Sequence, residues 1–179
     1  MESMARAVCR RTLRLVILLT LALPGCTGLE KPLMEIGLET TSGLGIRATL
    51  HNLSPRARRV LHSSDLQPSR VMLTDSAGKV LTPFDNRTRS KFDRTVRAAM
   101  FQRITERGSL ELDAAAFRKN SAGSYDLHWG PYEYREIPAG IWKVQVIFEC
   151  LIDRPTDKSP VPDAWSGTAA SKVVEIRLK

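Results

Sequence analysis

Three histidines, His51, His62 and His128, are the first candidates for acid–base or metal chemistry in this chain of 179 residues. None is followed by a second His or a Cys at the spacing of a local zinc site. They read as solvated or hydrogen-bonded strand residues. No Gly-x-Ser-x-Gly elbow is present to expose a nucleophilic serine. Gly78-Lys79 lacks both the earlier glycine and the following Ser or Thr of a phosphate loop. Asp75, Asp85, Asp113 and Asp126 stand near turns without the spacing of a calcium loop, so turn chemistry accounts for them. Cys150 closes an apolar run, which suits a buried, inert thiol better than a nucleophile. The expectation is a protein that is not an enzyme, with no catalytic residue, no cofactor and no metal.

Binding chemistry has more to work with. Arg56, Arg58 and Arg59 cluster in one short stretch. From Asp85 to Arg107 there are seven basic residues against three acidic ones. Within that stretch Arg87, Arg89, Arg94 and Arg97 are candidates for contact with an anionic surface: acidic lipid head groups, lipopolysaccharide phosphate or an acidic protein. Solvated loops would carry the same composition. Trp129, Tyr132 and Tyr134, beside Gly130-Pro131, are candidates for an aromatic platform that binds glycan or protein. The competing reading is ordinary core and loop packing.

The first 26 residues bear on location. Arg6, Arg10, Arg11 and Arg14 precede nine mostly apolar residues from Leu15 to Leu23. No run in the chain reaches the roughly 18 apolar residues of a spanning helix, whereas this length and charge order suit a secretory signal. Leu23-Pro24-Gly25-Cys26 follows. This resembles the lipobox of bacterial lipoproteins, with Pro24 as an unusual filler. The resemblance implies cleavage after Gly25, a diacylglyceryl thioether on Cys26, and a permanently membrane-tethered protein. Thr27 follows the cysteine where an Asp would signal inner-membrane retention in enteric bacteria, so the resemblance favours the outer membrane. The Arg10-Arg11 pair has poor flanks for a twin-arginine signal. Loss of residues 1–25 takes four Arg and Glu2 and lowers the net charge from +8 to +5. Cys9 leaves with that segment and Cys26 would carry lipid. Only Cys150 then remains, so stability must come from the core. Thr27–Lys31 is a short tether, reaching no more than roughly 20 Å.

The elements that must position any site are strands. Met34, Ile36 and Leu38 alternate with Glu35, Gly37 and Glu39. Leu44, Ile46, Ala48 and Leu50 do the same. This period of two means one buried and one wet face. Further strand signals are Val60-Leu61-His62, Val71 and Leu73 turning through Asp75–Gly78 into Val80-Leu81, Leu110 with Leu112, and Tyr125, Leu127 and Trp129. The last are Trp142, Val144, Val146 and Phe148, and a closing set of Val173, Ile176 and Leu178. Residues 85–102 differ: Phe92, Val96 and Met100 recur at helical spacing, which predicts a short helix or a long structured loop. Residues 153–166 read as a Pro-rich hairpin loop.

Seven or eight short strands with polar turns predict an all-β, antiparallel sandwich. The run Ile137–Phe148, followed by Trp165–Ile176, resembles the last two strands of immunoglobulin-like and fibronectin-III-like bacterial modules. Asp75–Val80 resembles their mid-domain hairpin and Gly108–Leu112 the turn and strand before the final hairpin. The organisation expected is a signal peptide over 1–25, lipidated Cys26 and tether over 26–32, and an immunoglobulin-like sandwich over 33–179. The function expected is a non-catalytic binding or assembly module of a bacterial envelope. It is held by its lipid, with an envelope protein or glycan as partner. Nucleic acid is excluded by the exported location. The alternatives are an exported proteinase inhibitor of sandwich type, for which no reactive-loop signature is present, or an enzyme with an unrecognised site.

Overall fold

Alternation along the chain is converted into strands almost wherever it occurs. The computed structural model describes residues 33–41, 44–62, 68–85, 95–151 and 155–179. The expected signal peptide, Cys26, Thr27 and the arginines Arg87, Arg89 and Arg94 lie outside the described residues. In chain order the strands are β1 (Met34–Thr41), β2 (Gly45–Asn52), β3 (Arg58–Leu61), β4 (Ser69–Thr74), β5 (Val80–Leu81), β6 (Phe84–Asp85) and β7 (Phe101–Ile104). They continue with β8 (Ser109–Ala116), β9 (Arg118–Lys119), β10 (Tyr125–Trp129), β11 (Tyr132–Ile137), β12 (Gly140–Cys150), β13 (Gly167–Ala170) and β14 (Val174–Leu178).

One sheet has the order β1-β2-β8, another β6-β11-β10-β9, and a third β13-β12-β4-β5 with β14 also on β12; β3 pairs with β7. Every ladder between these strands is antiparallel. The fold is all-β and sandwich-like. Its core is one cluster. β12 contributes Trp142, Val144, Val146, Phe148 and Cys150 from a single face, and β2 contributes Ile46, Ala48 and Leu50. Trp129 and Tyr134 join the facing sheets: the Trp129 indole N–H donates to Ser69 Oγ at 3.2 Å, and the Tyr134 hydroxyl donates to the Val71 carbonyl.

More strand segments appear than alternation predicts because bulges and prolines divide them. Ladder sums along β12 shift by one residue between β13 and β14. Ser171 fills the break. Its Oγ accepts from the Val146 N–H at 3.0 Å and donates to the Lys172 carbonyl at 2.8 Å. The bulge reverses the expected parity: Val173 is exposed while Ile176 and Leu178 are buried. A second bulge lies between Tyr125 and Leu127. There Glu136 adopts φ 55°, and its N–H donates to Asp126 Oδ1 at 2.9 Å. That irregularity hides β11 from any test for alternation.

The helix expected over 85–102 is not found in its described part. Arg97 is extended, a single 3-10 turn covers Ala98–Met100, and β7 begins at Phe101. Val96 is buried and tied to the loop at Thr156: its N–H donates to Thr156 Oγ1 and its carbonyl accepts from the Thr156 N–H, both at 2.8 Å. Tertiary pairing, not helical propensity, sets its conformation. Phe92 lies outside the described residues.

Register fixes which strand ends share a pole of the sandwich. β12 runs from Gly140, opposite Leu178, to Cys150, opposite Gly167. Ile36 bridges Ser171 in parallel, so β1 begins level with the Cys150 end. Leu33, the loop after Asn52 and the Thr105–Gly108 turn share that pole, joined by Leu53 N–H to Leu33 O and Asn52 N–H to Gly108 O, both at 2.9 Å. The opposite pole carries the Asp75–Lys79 turn, the Pro138–Gly140 turn and Lys179, since Thr74 pairs with Lys143. The 11 residues of β12 separate the poles by about 35 Å.

The Tyr134 contact also explains where β5 stops. Leu73 pairs with Leu81, so the next ladder position sets Val71 against Pro83. Proline has no N–H to donate, and the Tyr134 hydroxyl serves the Val71 carbonyl instead. Tyr134→Phe is expected to lower stability by about 1–2 kcal/mol at neutral pH, because a buried carbonyl loses its donor. Burial holds this hydroxyl well above the ordinary value of 10.0. Above about pH 10 the unfolded chain releases that proton while the folded chain keeps it, so its contribution to stability falls as pH rises. The gap between parent and Tyr134→Phe in urea unfolding should therefore narrow in alkali. A gap unchanged up to about pH 11 contradicts the buried, proton-holding hydroxyl.

Candidate functional site

Two rigid turns enclose a cleft at the Gly140 pole. The first is the β4–β5 turn. Asp75 Oδ1 accepts from the N–H groups of Ala77 at 2.9 Å and Lys79 at 2.8 Å, and the Asp75 N–H donates to the Lys79 carbonyl at 3.0 Å. The second is the β11–β12 turn, where the Trp142 indole N–H donates to the Pro138 carbonyl at 2.9 Å. Gly140 at φ 149° closes it, in a backbone region that side chains disfavour.

Between the turns is a cleft of about 380 Å³, a size that suits a side chain or a short peptide segment. Val80, Leu81, Ile141 and Trp142 give its apolar walls, and Asp75, Lys79 and Glu136 are at its rim. Val80 is 50% exposed and Ile141 41%, although both lie in strands. The Asp75 carboxylate is engaged by its own turn, which leaves Lys79 and Glu136 as the charges that can meet a ligand. This arrangement can hold an apolar group and orient it by one cation and one anion. In the sequence, Asp75 and Val80 stand out only as turn and strand residues. The cleft escapes it because its two walls are about 60 residues apart in the chain.

The aromatic platform is corrected by burial. Trp129 and Tyr134 are 0% and 1% exposed, so neither face can stack on a ligand. Both sit in the core with their polar ends satisfied by β4. Only Tyr132 is partly open, packed against the same core. Of the candidate arginines, Arg97 is exposed beside the 3-10 turn, and its three companions lie outside the described residues. Cys150 is buried at the end of β12.

The histidines stay apart. His51 is on β2, and His62 follows β3, where burial lowers its pKa and nearby Asp113 acts in the opposite sense. His128 is on β10 opposite Glu133, with Nε2 3.6 Å from a Glu133 carboxylate oxygen. Arg135 Nη2 lies 2.5 Å from the other Glu133 oxygen and holds that carboxyl below its usual range. This cross-strand cluster is a surface ion-pair group that sequence spacing alone does not show. Among the described residues no group of three or more His, Cys, Asp or Glu converges as a metal site. No described helix is long and apolar enough to cross a membrane. No protein-family model matches the chain, and no curated protein is found similar to it.

Proposed function

We propose that this chain is a non-catalytic, lipid-anchored binding module of a bacterial envelope: it captures a partner protein through the cleft between the Asp75–Lys79 and Pro138–Trp142 turns. The observation that carries the reading is polarity. The chain enters the sandwich at the Leu33 pole, and the cleft lies at the other end of β12. A tether from acylated Cys26 would leave the cleft facing away from its own membrane, open to periplasmic or surface partners. The occupant is a protein segment that offers an apolar side chain to Val80, Ile141 and Trp142, with a charge within reach of Lys79 or Glu136. The lipobox resemblance supports the anchor, and Thr27 favours the outer membrane.

The test is site-specific photo-cross-linking in intact cells, with the cross-linking residue placed at Val80, at Ile141 and, as a control, at Ser121 on a different turn of the same pole. Val80 and Ile141 are expected to give the same discrete adduct and Ser121 none. Absence of an adduct at both cleft positions, or the same adduct at all three, contradicts binding through the cleft. An exported proteinase in the adduct would instead support the inhibitor reading.

A further inference from the structure

Three leucines stand in solvent at the pole where β1 begins: Leu33 at 45% exposure, Leu53 at 42% and Leu151 at 77%. Leu53 and Leu33 are neighbours through their backbone hydrogen bond. Leu151 follows Cys150, and the strand steps from β2 through β1 and β13 to β12 separate it from Leu53. Three such steps span about 15 Å. Scattered exposed leucines are ordinary, whereas several gathered at one end mark a contact surface. Arginines flank them. Exposed Arg56 lies in the loop after Leu53, and exposed Arg103 and Arg107 stand on either side of Thr105. Buried Asn52 ties these two segments together, donating to the Arg56 and Thr105 carbonyls, both at 2.8 Å. The acids nearby are Glu35, Glu106 and Asp163, with Glu149 held by Arg70 at 3.2 Å, and Arg58 and Arg59 at the start of β3 keep basic side chains in excess.

We infer that this pole is a second, non-covalent membrane contact, with the leucines at the interface of a bilayer and the guanidinium groups on acidic head-group phosphates. The inference rests on the proposed acylation of Cys26. Seven peptide units join Cys26 to Leu33, which holds Leu33 within about 25 Å of the anchor. The pole brought to the membrane is therefore the one that carries the leucines and the arginines. Apolar side chains with basic neighbours bind at anionic interfaces, and guanidinium pairs with phosphate in bidentate fashion. The lipid anchor sets location, and the pole contact sets orientation, keeping the cleft turned outward.

The experiment is amide hydrogen exchange on the full-length, acylated protein in vesicles of phosphatidylcholine alone and of phosphatidylcholine mixed with phosphatidylglycerol. In the mixed vesicles the segments 53–56 and 105–108 should exchange about tenfold more slowly, the size expected of a few cations at an anionic surface. The Asp75–Lys79 turn should be unchanged. The double variant Leu53→Glu, Leu151→Glu changes exposed positions only, and it should stay acylated and membrane-bound but lose the protection. Equal exchange in the two vesicle types, or protection kept by the variant, overturns the contact while leaving the anchor in place. An intact mass without lipid on Cys26 overturns both.

Discussion

Trp129→Ala should lower the unfolding free energy by about 3–5 kcal/mol, from lost transfer energy and an incompletely collapsed cavity. The indole is fully buried and, like the Tyr134 hydroxyl, connects β10–β11 to β4 through a polar atom. Its removal also leaves the Ser69 hydroxyl, 0% exposed, without its indole donor. For a domain of this size the midpoint of thermal unfolding should fall by roughly 10 °C. Trp165 gives the comparison. It is only half-buried and stacks on Phe148 at 6.1 Å between ring centroids, so Trp165→Ala should cost less. Urea unfolding of both variants measures the difference. A loss under about 1 kcal/mol for Trp129→Ala would mean that this residue is not part of the core.

That residue also shows what the sequence can and cannot reveal. Tyr125, Leu127 and Trp129 alternate, and alternation is enough to read a half-buried strand. It does not say that Tyr132 and Tyr134 return beside it as β11, because the bulge at Glu136 breaks the period. Nor can local composition tell a platform from a core. Three aromatics beside Gly-Pro look alike in both, and only the position of β4 across the sandwich decides that Trp129 and Tyr134 point inward. β12 is legible because its buried face runs unbroken from Trp142 to Cys150. The Val96–Met100 spacing misleads because the Thr156 loop, some 60 residues away in the chain, claims the backbone of Val96. The cleft has the same origin. Its walls are ordinary turn sequences, and the site exists only where β4–β5 and β11–β12 end at a common pole.

Cys26→Ala should move the protein from the membrane fraction to the soluble one. Each buried methylene contributes about 0.8 kcal/mol, and two acyl chains together give stable attachment. The apolar run from Leu15 to Leu23 holds only nine residues, too few to span a bilayer as a helix. The variant retains the leucine and arginine pole, whose attraction to acidic lipid is screened by salt. A high-salt wash should therefore complete the release. Retention of Cys26→Ala in membranes through high salt and alkali would place the attachment elsewhere in the chain.

The most direct measurement is the intact mass of the protein purified from cell membranes. The expected chain begins at Cys26, with 154 residues left of the 179, and carries the added mass of a diacylglyceryl group and, in many bacteria, one further acyl chain on its amine. A mass equal to the whole unprocessed chain, or to a cleaved chain without lipid, would contradict it.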